Sequence, residues 1–399
     1  MASTPSRLAI VGAGVAGCSL AARLAQLGWP MEGVSLWEAG RGAGGRTSTR
    51  RSRRNPSLRV DHGASLFTLD PAAPPPILME ALLRQGWVEP WAGNVACVNG
   101  AGELTPPDPQ DPLLHGARFR GKPAMEQLCE GLLAMAGGDL RLAPDTLVRD
   151  VDRQHDRWLL KSAEGNVLAE SEALILTGTL LAHPRGRWTL GWERPPLLAL
   201  AERLQDPILN HTLATIAALR FEARSSLLIH CSPEEAEPWR SLPFQLLAFD
   251  AAAQQRWGLW RISIQPLPDG SCAVVAHSSA TFAAEHLGTY GSRSSIARQL
   301  GLMPQPDQEQ QVIRSLANAL QDVLQPWLPK SCSLGGEQQL MRWGAAFPLS
   351  QGLPVTFRWH DSLKLGFCGD FMAGAGFGRV EGAMRSAEAL AERLVGWRS

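Results

Sequence analysis

The hydrophobic positions near the start of the chain change from the spacing of a strand to that of a helix. Residues 8–11 form a short apolar run, which predicts a buried strand. Leu20, Leu24 and Leu27 then recur at intervals of four and three, which is typical of one helical face. A second apolar run over 34–38 predicts another strand. The segment is therefore predicted to be a strand–helix–strand unit.

The middle of the chain, between about 181 and 335, has a different pattern. Trp260, Ile262 and Ile264 alternate with other residues, as in half-buried antiparallel strands. Proline-rich stretches at 71–76 and 105–112 indicate loops. The other predicted elements are a helix over 123–136, a meander over 148–173 that ends in a strand at 173–176, a helix over 309–325, a strand over 362–369 and a helix over 380–395.

Composition and charge exclude several classes of function. The 38 basic and 38 acidic residues balance, so no net field favours nucleic acid or an anionic membrane. No apolar run approaches the roughly 18 residues that cross a bilayer. The cysteines are odd in number and form no Cys-x-x-Cys pair, which favours reduced thiols and a cytoplasmic location. They are Cys18, Cys97, Cys129, Cys231, Cys272, Cys332 and Cys368.

The turn after the first strand has the spacing of a dinucleotide-binding site. Gly12, Gly14 and Gly17 would allow a tight turn, close approach of a pyrophosphate and close packing of helix on strand. Ala16 lies in the same turn, at the helix N-terminus that would face the phosphates. Glu38 ends the second strand, 21 residues after Gly17, where a carboxylate can bind a ribose.

The next motif separates FAD from NAD. In the run 41–50, Gly44, Gly45 and Arg46 resemble the Gly-Gly-Arg stretch of glutathione-reductase-type FAD proteins, particularly amine oxidase-like ones. The resemblance implies that the glycines pass along the FAD phosphates and that Arg46 pairs with a phosphate oxygen. The arginines that follow are expected to be solvated on a flexible basic loop: Arg50, Arg51, Arg53 and Arg54.

The C-terminal region carries the second half of the same resemblance. Gly369 and Asp370 end a predicted strand, and in such proteins this aspartate accepts hydrogen bonds from the ribityl chain. The helix that begins near Val380 and Ala383 would point its N-terminus at the flavin, where negative charge develops on reduction. Val148 is expected where the class contacts adenine through its backbone.

Three segments resemble renalase-like members of the FAD-dependent amine oxidase superfamily: 59–68 with Gly63 and Ala64, 121–131, and 341–348. The chain departs from that pattern at Ser65-Leu66, at Met341 and at Thr177-Gly178-Thr179, which leaves the substrate open.

The expected fold class is α/β, with a Rossmann-type, glutathione-reductase-like FAD-binding domain and a second, mixed-sheet substrate domain. The FAD-binding domain is predicted to be discontinuous, over 5–65, 120–180 and 335–399. The substrate domain is predicted over 66–119 and 181–334. The flavin ring should lie where the two meet.

The resemblance implies an oxidase that takes a hydride at flavin N5 from a dihydronicotinamide-type donor and passes the electrons to oxygen. A flavin amine oxidase, a polyene desaturase or isomerase, and a flavin-binding regulatory protein without turnover stay open as alternatives. Amine cages in the superfamily commonly use two tyrosines, whereas this chain has one, Tyr290.

Three residues are candidates for contact with the substrate. His62 could approach the flavin or have a structural role. Arg342 could anchor a carboxamide or phosphate, or it could pair with a buried carboxylate. Trp343 could stack on a substrate ring or fill the core. The histidines show no metal-binding spacing, so no metal is expected. The expected partner is a small molecule, such as a nicotinamide dinucleotide. Its identity, the electron acceptor and the oligomeric state are left open.

Overall fold

The computed structural model describes residues 6–51, 58–329, 334, 337–349 and 351–398. Arg53, Arg54 and Cys332 lie outside the described residues. The strands are β1 (Ser6–Val11), β2 (Val34–Trp37), β3 (Thr49–Arg51), β4 (Arg59–Asp61), β5 (Phe67–Leu69), β6 (Val88–Pro90), β7 (Val95–Val98), β8 (Leu104–Thr105), β9 (Ala117–Gly121), β10 (Arg141–Ala143), β11 (Asp150–Gln154), β12 (Arg157–Lys161), β13 (Val167–Leu176), β14 (Phe221–Cys231), β15 (Leu246–Phe249), β16 (Leu259–Pro266), β17 (Cys272–Ser278), β18 (Glu337–Pro348), β19 (Trp359–His360) and β20 (Leu365–Phe367).

The helices include the three that the hydrophobic pattern predicts most clearly, near the start, near 123–136 and at the C-terminal end. They are α1 (Val15–Gln26), α2 (Ile77–Arg84), α3 (Glu126–Ala136), α4 (Gly186–Leu190), α5 (Pro196–Leu204), α6 (Pro207–Ala218), α7 (Pro233–Arg240), α8 (Ala251–Trp257), α9 (Ala280–Glu285), α10 (Ser295–Gln299), α11 (Pro306–Leu324) and α12 (Val380–Arg398).

The first sheet is built around a parallel core. Strands β10, β2, β1, β13 and β20 pair in that order, all parallel, while β12 and β11 extend the sheet from the first half of β13 as an antiparallel meander. Helices α1, α3 and α12 cover one face, where Leu20, Leu128 and Leu390 are fully buried. Helices α5 and α6 pack on the other side. This arrangement confirms the predicted α/β class with a Rossmann-type domain.

The second sheet is mixed, as predicted. Its order is β18, β14, β17, β16, β15, β7 and β8, antiparallel except where β15 pairs with β7. One face is closed by α11, whose Leu316 and Leu320 pack against Ile262 and Ile264. The other face is turned toward the first sheet and supplies part of the site described below.

The division of the chain into domains stays a prediction, and three segments pack differently from it. Strand β18 belongs to the second sheet, although 335–399 was assigned to the FAD-binding part. Helices α2 and α5, in segments assigned to the substrate part, bury Leu78 and Leu200 in the cores of the first sheet.

The expectation of a flexible basic loop is wrong for Arg50 and Arg51. Both lie in β3, which pairs with β4. The guanidinium of Arg51 binds Glu126 at 2.9 Å and Glu130 at 2.7 Å, because α3 packs beside this ribbon. The Arg50 guanidinium is mostly buried and contacts the sulfur of Met341.

Candidate functional site

A cavity of about 530 Å3 lies between the two sheets. On one side it is bounded by residues at the carboxyl ends of parallel strands, such as Val11, Glu38 and Leu176. On the other it is bounded by the second sheet, through Trp260 and His277. Ligands of open α/β sheets bind outside the carboxyl ends of the strands, so the cavity lies where the fold predicts a site. We call the part beside β1 and β2 the dinucleotide end and the part beside the second sheet the substrate end.

The three glycines of the first turn are required for three different reasons. Gly12 has a φ of +107°, and a Cβ atom there would lie 2.3 Å from the hydroxyl oxygen of Thr177. A Cβ at Gly17 would lie 2.0 Å from the Gly12 carbonyl oxygen, so this glycine lets helix pack on strand. A Cβ at Gly14 would meet no protein atom within 4 Å, and Gly14 lines the cavity. The space beside Gly14 is therefore open to a ligand.

The N-terminus of α1 can accept an anion. Its N-cap is Gly14, no side chain caps it, and its first turn contains no acidic residue. In the first hydrogen bond within the helix, the Cys18 amide donates to the Gly14 carbonyl. The amides before it carry the positive end of the helix dipole, which binds phosphate well. Ala16 lies in this first turn and lines the cavity.

The Glu38 carboxylate holds the turn that follows β1 and the loop that follows β2. Its Oε2 accepts a hydrogen bond from the Ala13 amide at 2.8 Å, and its Oε1 accepts one from the Gly40 amide at 2.6 Å. Burial raises the pKa of the carboxyl, although both amide hydrogen bonds oppose that shift. The carboxylate is thus fixed at the edge of the cavity, with lone pairs left for a ribose hydroxyl.

Arg46 and Asp370 form an ion pair that joins the two ends of the chain. Both Asp370 oxygens accept from the Arg46 guanidinium at 2.6 Å, and Arg46 Nη1 also donates to the Ala346 carbonyl at 2.9 Å. Burial disfavours the charge on Arg46, but Asp370 outweighs it and the pKa of the guanidinium is raised. The two residues, predicted separately as phosphate and ribityl ligands, line the middle of the cavity together.

The segments that carry Gly44, Gly45, Gly63 and Ala64 pack around this ion pair. The Gly44 amide donates to the Ala13 carbonyl at 2.8 Å, and the Ala64 amide donates to the Arg46 carbonyl at 2.9 Å. A Cβ at Gly63 would lie 2.1 Å from that same carbonyl oxygen. The four residues line the cavity.

The remaining predicted cofactor residues also border the cavity. Gly369, at the end of the last parallel strand, donates its amide to Ser386 Oγ at 2.9 Å. Val380 begins α12, and Ala383 follows on the same side. Val148 is buried and lines the cavity near Glu38. Their roles toward a cofactor stay predictions.

The substrate end depends on an irregularity in β16. The pairing of β16 with β17 shifts register between Leu259 and Arg261, and such a bulge re-aims side chains. Trp260 and Arg261 both line the cavity as a result, while Ile262 is part of the core beside α11. The Arg261 guanidinium lies 4.3 Å from the centre of the Trp260 ring, within cation–π distance.

Side chains of the neighbouring strands also line the substrate end. The Arg224 guanidinium lies 5.0 Å from the Trp260 ring and donates to Glu222 Oε2 at 2.5 Å. His277 Nδ1 is 2.8 Å from the hydroxyl of Ser226. Burial and the nearby Arg261 and Arg224 charges lower the pKa of His277 to about 3, so its ring is neutral.

The three candidate substrate residues lie close together. The Trp343 indole lines the cavity and donates to the His62 carbonyl at 3.2 Å, and the His62 ring packs 5.3 Å from it. His62 itself is not among the described residues that line the cavity, and burial lowers the pKa of His62 to about 3. Arg342 lines the cavity, stacks 4.1 Å from the Tyr290 ring and makes no ion pair within the described residues.

Sequence reasoning missed the charged residues of the substrate end. They are Arg185, Arg224 and Arg261, together with the neutral His277. One signal was available: Arg261 stands between Trp260 and Ile262, and a charged residue that is buried in a sheet often marks a functional position.

Two negative observations concern the described residues only. They contain no group of three or more His, Cys, Asp or Glu residues that could hold a metal ion. No helix among them combines the length and apolar character needed to cross a bilayer.

Comparisons with known proteins agree with this geometry. The family model of an NAD(P)-binding Rossmann-like domain matches residues 10–77. Cyclohexylamine oxidase from Brevibacterium oxydans superposes with a TM-score of 0.63 at 13% identity, over 98% of this chain and 100% of that chain. An oxidoreductase from Methanosarcina mazei superposes with a TM-score of 0.61 at 11% identity, over 97% and 100%.

A triple mutant of putrescine oxidase superposes with a TM-score of 0.58 at 14% identity, over 99% of each chain. None of the curated proteins compared with this sequence matches it. At such low identity the superpositions show a common fold, which extends over almost the whole chain.

Proposed function

We propose that this protein is an FAD-dependent oxidoreductase that binds its cofactor non-covalently. One observation carries the proposal: a single cavity runs from the glycine turn of the Rossmann unit, past Arg46 and Asp370, to the second sheet. That path suits a long dinucleotide with its reactive ring at the far end. The full-length similarity to oxidases of the same fold supports it.

The residues present fit FAD, starting with the open space beside Gly14 and the uncapped N-terminus of α1. These would hold the pyrophosphate, Glu38 would bind the adenosine ribose, and Asp370 would bind the ribityl chain. The remaining contacts would come from Ala16, Gly44, Gly45, Arg46, Gly63, Ala64, Val148, Gly369, Val380 and Ala383.

A bound FAD would supply the two-electron acceptor, at N5, for a hydride from the substrate; the two electrons, with the proton of that hydride and one proton from solvent, would reduce oxygen to hydrogen peroxide. The protein would then have to bind and orient the donor and exclude water. Trp343 offers an apolar surface for a ring. The pKa values of His62 and His277 are lowered to about 3, so their neutral rings are weak bases. No acidic residue among the described ones lines the substrate end, so the site offers no strong general base there.

A dihydronicotinamide-type donor needs no such base, because loss of hydride leaves an aromatic pyridinium. We therefore propose this donor class, in line with the renalase-like motifs. Amine oxidation is the competing activity, and two features of the site disfavour it. The ring of Tyr290 is covered by Arg342, and the described residues place no carboxylate at the substrate end to attract an ammonium group.

Anaerobic reduction separates these activities. The FAD-loaded protein is mixed without oxygen with reduced nicotinamide isomers and, separately, with primary amines. We expect bleaching of the flavin absorbance by the nicotinamide donors alone. Bleaching by amines alone would establish an amine oxidase, and bleaching by neither would favour a flavin-binding protein without turnover.

We also propose a cytoplasmic location. The described cysteines are free thiols, which persist in a reducing compartment. They are Cys18, Cys97, Cys129, Cys231, Cys272 and Cys368.

A further inference from the structure

Arg261 is a buried cation whose ion pair with Asp111 lacks a hydrogen bond. Its side chain is only 11% exposed, and its Nε and Nη2 atoms have no hydrogen-bond partner among the described residues. The nearest carboxylate oxygen, on Asp111, is 3.7 Å from Nη2, beyond hydrogen-bond distance. Burying a charge is costly unless it is paired and hydrogen-bonded, so this guanidinium is incompletely satisfied.

The neighbouring arginine is better paired, although its Nε atom also has no hydrogen-bond partner among the described residues. Arg224 is equally buried, but Glu222 accepts its hydrogen bond at 2.5 Å. The charge of Arg224 is therefore compensated by Glu222, and Glu222 does not serve as the counter-ion of Arg261. Burial, together with Arg224, lowers the pKa of Arg261 to about 10, although Asp111 opposes the shift.

No carboxylate within the cavity compensates Arg261. Among the described lining residues the acidic ones are Glu38 and Asp370. Glu38 lies at the dinucleotide end and holds two backbone amides, and Asp370 is bound at both oxygens by Arg46. The substrate end consequently has a positive potential.

Arg261 also lies beside aromatic side chains that line the cavity with it. Its guanidinium stacks on Trp260, and the Phe347 ring packs against the same tryptophan with centroids 5.2 Å apart. Both aromatic residues line the cavity. Such surfaces bind planar apolar groups, while a guanidinium fork binds carboxylates and phosphates.

We propose that the substrate end binds a planar small molecule that carries an oxyanion, either a carboxylate or a phosphate, and that Arg261 binds this group. The inference rests on the proposed function in one respect, that the bound molecule is the electron donor. It narrows the donors to anionic ones and makes Arg261 a residue that determines substrate specificity.

Three pyridines with the same ring and substituents of different charge test the proposal. Nicotinate is an anion, nicotinamide is neutral, and 3-(aminomethyl)pyridine is a cation at neutral pH. Their binding to the FAD-loaded protein is measured by titration calorimetry, with nicotinamide mononucleotide as the phosphate-bearing probe. We expect nicotinate or the mononucleotide to bind at least about tenfold more tightly than the cation, and the stronger of the two identifies the oxyanion.

Two variants shift the charge in opposite directions. Arg261→Gln should weaken binding of the preferred anion about tenfold and leave nicotinamide within about twofold. Asp111→Asn removes the carboxylate that pairs with Arg261 and should strengthen anion binding about threefold. Arg194→Gln, at an exposed ion pair on the surface, serves as the matched control and should change neither.

Several outcomes would overturn the proposal. These are equal binding of anion and cation, an unchanged anion affinity in Arg261→Gln, or weaker anion binding in Asp111→Asn. Loss of FAD from Arg261→Gln would make Arg261 a cofactor residue instead. Because calorimetry needs no turnover, anion binding without hydride transfer would refute the proposed reaction while leaving Arg261 as the residue that binds the anion.

Discussion

The two ends of the cavity are built in different ways. At the dinucleotide end, backbone amides and glycines form the surface, and the two carboxylates there are already held, Glu38 by amides and Asp370 by Arg46. At the substrate end, long side chains from strands far apart in the sequence form the surface, and Arg261 is incompletely paired.

The two ends should therefore differ in how strictly they select a ligand. A backbone surface with a helix N-terminus recognises phosphate whatever else the ligand carries. A wall of arginine and tryptophan side chains selects by charge and shape, and it can change without altering the fold. The first end should therefore decide whether flavin binds, and the second should decide which donor reacts.

The largest effect is expected at Gly14. A valine there meets no protein atom near its Cβ but projects into the space proposed for the pyrophosphate. Gly14→Val should weaken FAD binding at least a hundredfold, about 2.8 kcal/mol, with the thermal stability of the apoprotein unchanged. The flavin-to-protein absorbance ratio measures this. Gly138→Val, at another position with open space, is the control. Full flavin content in both variants would show that the FAD pyrophosphate does not bind beside Gly14.

A smaller effect is expected at Asp370. Alanine removes both acceptors of Arg46 and the proposed ribityl ligand, so FAD retention should fall roughly tenfold and unfolding free energy by about 1–2 kcal/mol. Glu89→Ala breaks an ion pair with Arg120 outside the cavity and should leave FAD retention unchanged. Equal flavin retention in Asp370→Ala and Glu89→Ala would contradict the assignment of Asp370.

The two ends should also respond to pH with opposite signs. The pKa of His277 is lowered from 6.5 to about 3, so its contribution to stability is complete above pH 6.5 and is lost as the pH falls toward 3. The pKa of Glu38 is raised from 4.5, so its contribution is greatest below pH 4.5 and is lost as the pH rises.

Urea unfolding across this pH range tests the signs. His277→Gln should flatten the acid loss of stability by up to about 1.4 kcal/mol per pH unit, whereas Glu38→Gln should steepen it. Parallel pH profiles for the wild type and both variants would show that neither group is buried as described.

The smallest effect is expected at Cys368, where we predict no covalent attachment of flavin. Its thiol is fully buried, and burial raises its pKa to about 12, so little thiolate forms. Acid precipitation should release all flavin into the supernatant. A yellow protein pellet that turns white in Cys368→Ser would refute this.

The dinucleotide end could be predicted from the sequence because its geometry is local. Gly12, Gly14 and Gly17 encode one backbone path, and Glu38 follows at a fixed distance along one strand–helix–strand unit. The pairing of Arg46 with Asp370 was not predictable, since it joins residues 324 positions apart. The motifs indicated both residues but not their contact.

The substrate end was less accessible to sequence reasoning. Alternation placed Trp260 with Ile262 and Ile264 on one face, and the bulge beside it turns Trp260 to the cavity instead. His62 was singled out by its motif, yet its ring packs behind Trp343. Bulges and the depth of side chains depend on neighbouring strands, which one segment does not specify.

The flavin content of the protein tests the central claim most directly. The purified chain, reconstituted with excess FAD and freed of unbound cofactor, is denatured, and the released flavin is quantified against protein. We predict one FAD per chain. Protein that stays colourless after reconstitution, while folded by circular dichroism, would contradict the account.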